Sequence, residues 1–224
     1  MNDNVVNKKS FLSQVTEIVK TNIRNIIILL SLCFVLFLSF QIYSFYISNK
    51  IQKNSISFFA AQNTDDTNVI TDTITKLSND NTFYGVLAKL ELIDLTLKQN
   101  NIEDSISIYL EVINQNNLES VYKSAIASKA SYQLIDINFE NLSLNYLNII
   151  NDFISYIDDE TDSYKGIKLE LKYLIKILES EKNSIDFSSL NEVNDIYENI
   201  MSSDVVSSAI KERVNKIHEF YSNK

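Results

Sequence analysis

The chain has 224 residues, 45% of them hydrophobic, a formal net charge of −9, no proline, two glycines, one cysteine and one histidine. Two glycines cannot supply the positive-φ turns of a β-meander or barrel, nor the closely spaced glycines of a phosphate-binding loop, so the composition points to an all-α chain. One thiol and one imidazole leave no intramolecular disulfide framework and no Cys/His zinc site, and neither a metal nor a cofactor is expected.

Residues 1–24 form a short basic tail. The stretch from Lys8 to Lys20 sets Phe11, Val15, Ile18 and Val19 near one helical face. It fits either a helix lying on a lipid surface or a tail that only sets topology. Between Arg24 and Lys50 there are 25 residues without a charge, with IIILLSLCFVLF at their centre. As a helix they reach roughly 37 Å, enough for a hydrocarbon core of about 30 Å, which makes residues 25–47 a candidate transmembrane helix. Tyr43, Phe45 and Tyr46 stand where a membrane boundary would fall. The bulky run QIYSFYISNK after the apolar core lacks the small residues of a cleavage site, so an uncleaved anchor is expected. Lys8, Lys9, Lys20 and Arg24 precede the helix and only Lys50 and Lys53 follow closely, which puts the N-terminus in the cytoplasm.

Removing the four cations and two acids of residues 1–47 leaves 16 basic and 27 acidic side chains beyond the anchor. Such a surface repels nucleic acid. Residues 48–80 read as a helical connector, with 50–62 continuing the anchor and 67–79 a short helix. From 81 to 224 the pattern is helical throughout. Phe83 to Leu97 is apolar on nearly every side. Ile102, Ile106, Tyr109, Leu110 and Ile113 form a one-sided stripe. Residues 118–135 again carry apolar groups on several sides, including Tyr122, Ala125, Ile126 and Ala130. Leu142, Tyr146, Ile149, Ile150, Phe153 and Ile157 form the next stripe. A third inner helix uses Tyr164, Ile167, Leu171, Leu174, Ile175 and Leu178, and a third outer one Leu190, Val193, Tyr197 and Ile200. Ser189 with Glu192 fits a capping box before that helix. Residues 204–221 read as a closing helix with Val206, Ala209, Ile210, Ile217 and Tyr221 turned inward. Polar clusters (SNDNT, KQNN, NQNN, DDETDS, EKNSID) separate the helices.

This alternation of doubly buried and one-sided helices is the pattern of stacked α-hairpins in a solenoid. Tyr84, Tyr122 and Tyr164 recur near the starts of the inner helices, followed by small residues (Gly85 and Ala88, Ala125, Gly166) suited to close helix approach. Chance placement among twelve tyrosines is the alternative account of the recurrence. Inner-helix side chains Tyr84, Lys89, Tyr122, Lys123 and Lys129 are the candidate partner contacts, against a plainly solvated face. No catalytic constellation emerges, and an enzyme is not expected.

The run NTFYGVLAKLELIDLTLKQNNIEDSISIYLEVI resembles the first full repeat of YfgM-type proteins, with Tyr84, Gly85, Ala88, Leu90 and Leu92 at the matching positions. The resemblance implies a tetratricopeptide-like (TPR-like) domain on a single anchor, in a bacterial inner membrane with the domain in the periplasm. It further implies a part ancillary to the SecYEG translocon, beside a membrane-anchored periplasmic chaperone that assists exported proteins. The alternative is a TPR-like scaffold for another envelope assembly complex. The bilayer is the one non-protein partner expected, with no nucleic acid and no small-molecule substrate.

Overall fold

The computed structural model describes residues 11–116, 118–158, 162–184 and 191–223, and among them every regular element is a helix. In chain order these are α1 (Phe11–Gln62), α2 (Thr67–Ser78), α3 (Phe83–Lys98), α4 (Ile102–Ile113), α5 (Ser120–Glu140), α6 (Leu147–Ser155), α7 (Asp162–Asn183), α8 (Asn191–Ser202) and α9 (Ser208–Ser222). The chain divides into two compact units. One runs through Thr73 and includes Thr82–Tyr84; the other comprises Ile74–Asn81 and Gly85–Lys224.

In the first unit α1 has 52 residues, roughly 78 Å of helix. Its stretch Val19–Gln62 is long and apolar enough to cross a membrane, and nothing in its most apolar window is buried. Phe34, Leu36 and Ile42 are each more than 60% exposed. A core helix of this composition would hide that surface against other elements. Near its end, Phe58, Phe59 and Phe83 surround the ring of Tyr84 with centroids 5.6–6.2 Å away. The Asn54 amide donates to the Thr82 hydroxyl at 3.0 Å. At the start of α2, Asp66 accepts the backbone N–H of Asn68 at 3.0 Å, an N-cap that fixes where the helix begins.

The second unit is organised by α7. Successive residues are about 100° apart around a helix, so residues two apart face nearly opposite ways. Leu171 and Ile175 join the larger cluster, with Ile93 of α3, Tyr109 and Ile113 of α4, Ala130 and Leu134 of α5, and Phe153 of α6. Tyr173 and Ile177 join a second cluster with Val193 and Ile200 of α8 and Ile210 and Val214 of α9. Helix α5 packs on α4, α6 and α7, and α7 on α5, α6, α8 and α9. The doubly buried character read from the sequence for these two helices is therefore present.

Particular positions differ from the sequence reading. Ala125 is exposed, because Ser124, Ile126, Ala127 and Ser128 take the buried positions around it. Leu142 is 39% exposed, since it lies in the turn before α6. Helix α9 begins at Ser208 and not near 204, because the Ser207 side chain accepts from the Ile210 N–H and starts the helix there. Ala209 then falls outside the stripe of Ile210, Val214, Ile217 and Tyr221 and is exposed. Ser189 and Leu190 lie outside the described residues.

A buried carboxylate links three helices. Glu170 of α7 is 2% exposed. Arg213 of α9 donates to it through Nε at 2.9 Å and Nη2 at 2.8 Å, and the Tyr132 hydroxyl of α5 donates to Oε2 at 2.6 Å. Next to the second cluster, His218 stacks on Tyr197 with centroids 3.9 Å apart. The Tyr173 hydroxyl lies 3.1 Å from its Nδ1, and on a neutral ring that nitrogen can accept. Burial lowers the His218 pKa, with the charge of Glu198 opposing it.

Two predictions follow from this packing. A Cβ on Gly85 would lie 1.8 Å from the Asp80 carbonyl oxygen, whereas one on Gly166 would meet Val206 and Ile210 at 3.3–3.5 Å. Gly85→Ala should therefore cost about 2 kcal/mol, net of its gain in helix propensity. Gly166→Ala should stay within about 1 kcal/mol of the parent. Thermal melts of the full chain in micelles compare the two. For His218, a lowered folded pKa means that the neutral form is favoured on folding. Its contribution is complete above the unfolded value of about 6.5 and is lost as pH falls through the folded one. Between pH 7.5 and 5 the parent should lose more melting temperature than His218→Phe, which keeps the stack but cannot take the proton.

Candidate functional site

The five candidate contact residues have different surroundings. Tyr84 is enclosed by the phenylalanine rings of its own unit. Lys89, on α3, is 6% exposed and its ammonium donates to Glu111 of α4. A long cationic side chain can bury its stem in a core when a carboxylate meets the head, so this lysine is a strut between α3 and α4 and not an exposed contact. Lys129 of α5 donates to both oxygens of Asp94 of α3, at 2.9 and 3.0 Å. Tyr122 is 51% exposed and Lys123 half-buried, on the first turn of α5. The three recurring tyrosines also part company, since Tyr164 packs partly against the larger cluster while Tyr122 faces water.

The polar residues of α3, α4 and α5 assemble a different feature. Tyr109, 2% exposed, donates to Gln133 Oε1. Gln133 in turn points its amide at Asp94, 3.5 Å away, which also holds Lys129. Burial raises the Tyr109 pKa well above the phenol range, with the Asp94 charge adding to it, so the hydroxyl stays a donor. This chain of contacts fixes the lower part of α5 against α3 and α4.

Beside it opens a groove of about 410 Å³. Leu97, Ile102, Ile137 and Leu144 give it apolar walls, and Gln133, Asp136 and Glu140 supply its polar side. Asn100 adopts a left-handed φ of 58° in the α3–α4 turn that borders the groove. At the other end Asn141 closes α5, its side chain accepting the Ser143 N–H at 3.1 Å. Fully buried Asn138 accepts the Tyr146 N–H at 3.4 Å and donates to the Leu134 carbonyl at 2.8 Å. The turn that carries Leu144 is thus tied to α5. Burial pushes the Asp136 carboxyl above its ordinary pKa, and the charge of Glu140, one turn along, adds to that.

Sequence reasoning missed Asp136 and Glu140 as a pair. The signal was present: two acids at i, i+4 in the last turns of a helix with no base in its final turn. It also missed Glu170, whose partner Arg213 lies 43 residues away with no local cue. No family model, characterised protein or solved structure matches the chain.

The two lysines first grouped together should separate on mutation. Lys89→Ala removes a buried stem and leaves Glu111 without its partner, at a cost of about 2 kcal/mol. Lys123→Ala on the half-open first turn should stay within about 0.5 kcal/mol of the parent. Melting curves of the two variants against the parent decide this.

Proposed function

We propose that this chain is a membrane-anchored protein–protein interaction module, with α1 as its single spanning helix and the following helices as a TPR-like solenoid of α-hairpins. The observation that carries the reading is the uncovered apolar run of α1 joined to a helical unit that has its own core. An apolar surface of that length has a favourable place in a bilayer and none in water. The packing of α5 on α7, with α4, α6 and α8 burying one face each, supports the hairpin arrangement.

The four cations before the apolar run favour an N-terminus in the cytoplasm and a helical unit across the membrane. The resemblance of residues 81–113 to a YfgM-type repeat implies a bacterial inner membrane. It also implies work ancillary to the SecYEG translocon and to chaperoning of proteins emerging into the periplasm.

Crosslinked pull-down of the full-length protein from native membranes tests the role. Recovery of translocon subunits together with a periplasmic chaperone is expected. Recovery of another envelope complex, with translocon at background, replaces the export role by that of a scaffold. Topology is read independently by labelling Ser184→Cys in a Cys33→Ser background with a membrane-impermeant maleimide. Labelling of intact spheroplasts is expected, and labelling only after lysis reverses the orientation.

A further inference from the structure

The end of α5 breaks a simple electrostatic rule. Backbone carbonyls at a helix C-terminus carry partial negative charge and favour cations. Here the last turns hold Asp136 and Glu140, and no basic residue stands in the final turn. The two acids are four residues apart, where like charges oppose each other. Neither has a cationic partner among the described residues. Lys182, which touches the groove's border, donates to the Leu144 carbonyl and to Asn145 instead. Elsewhere in the same unit buried Glu170 is matched by Arg213 and half-buried Asp94 by Lys129. The unmatched charge sits against the apolar walls of Leu97, Ile102, Ile137 and Leu144.

We propose that this groove binds a peptide segment in which lysine or arginine stands beside aliphatic side chains, the cation meeting Asp136 and Glu140 and the aliphatic groups meeting the apolar walls. The inference rests on the reading of the helical unit as an interaction module, and it names the chemistry of the partner. A cation here is attracted by two carboxylates and a helix terminus together, while the adjoining walls receive its aliphatic neighbours. A volume of about 410 Å³ is near the small end of ligand clefts. It suits about two or three side chains of an extended segment and is too small for a docked helix. Specificity comes from the pairing of charge with aliphatic bulk: an acidic segment is repelled, and a bare cation leaves the walls wet.

The test uses the full chain in phosphatidylcholine nanodiscs, whose lipid offers no net charge to a cationic peptide. Three blocked peptides, ALKLKLA, ALELELA and AGKGKGA, are titrated by calorimetry at 50 mM salt, with empty nanodiscs as the blank. ALKLKLA should bind at least tenfold more tightly than either of the others. The double variant Asp136→Asn with Glu140→Gln should weaken it at least tenfold without lowering the melting temperature, since it removes a repulsion at exposed positions. A control of equal net charge, Asp195→Asn with Asp204→Asn, should leave binding unchanged. Equal binding of ALELELA or of AGKGKGA overturns the proposal, the latter by reducing the groove to a site for any cation. So does unaltered affinity in the Asp136/Glu140 variant, or equal weakening in the control. Pull-down with that variant separates the two readings. Partners recovered as by the parent, with no peptide binding, dispose of the groove and leave the tethered module standing.

Discussion

Glu170 holds its carboxylate almost wholly out of water at the place where α5, α7 and α9 meet. Taking a charge into such a site costs several kcal/mol, and only a close partner and further hydrogen bonds return it. The Arg213 fork and the Tyr132 hydroxyl provide both. Because the fork is planar and bidentate, it fixes direction as well as distance, and so constrains the rotation of α9 about its axis. With Arg213 turned to α7, Ile210 and Val214 enter the second cluster and His218 reaches Tyr173 and Tyr197. Arg213 itself is 54% exposed, so the pair gains less from Coulomb attraction than a fully buried one. Its larger effect is the penalty on any packing that leaves Glu170 alone.

The helical class and the extents of most elements were legible in the sequence, because both follow from periodicity that local physics enforces. Helix α1 runs to Gln62 and α2 covers Thr67–Ser78, close to where the apolar spacing and polar breaks put them. Ile106, Tyr109 and Ile113 are buried, as their i, i+3, i+7 spacing requires. What the sequence left hidden are pairings across long separations. Lys89 reads as a surface cation until Glu111, 22 residues on, is brought over it. The three tyrosines match by interval and yet have three environments, because interval alone does not fix the neighbours of a helix start. Where a boundary was missed, at α9, the cause was a local one: the hydroxyl of Ser207 caps the helix, whereas apolar spacing alone extends it backwards.

The candidate site was less legible than the fold for the same reason. A groove is what remains between side chains after packing, so its walls come from residues whose common property is position. Leu97, Ile102 and Leu144 belong to a helix end, a helix start and a turn. Only Asp136 and Glu140 had a signature of their own, since acids at a helix C-terminus oppose the helix dipole wherever the helix lies.

Sequences that specify a structure tend to agree with themselves at every level, and disagreement marks the places where something beyond folding was selected. Most of this chain agrees: α7 divides its faces between two cores, and the buried Glu170 and Lys89 have partners. Two features do not close within the chain. Among the described residues, the most apolar stretch of α1 is not buried, and Asp136 and Glu140 at the end of α5 have no base in their final turn. Neither lowers the free energy of the isolated molecule in water. Each becomes favourable with a second component, a hydrocarbon phase for the first and a cation flanked by apolar bulk for the second. On the proposed reading as a tethered interaction module, those are the two surfaces that a bilayer and a partner would complete.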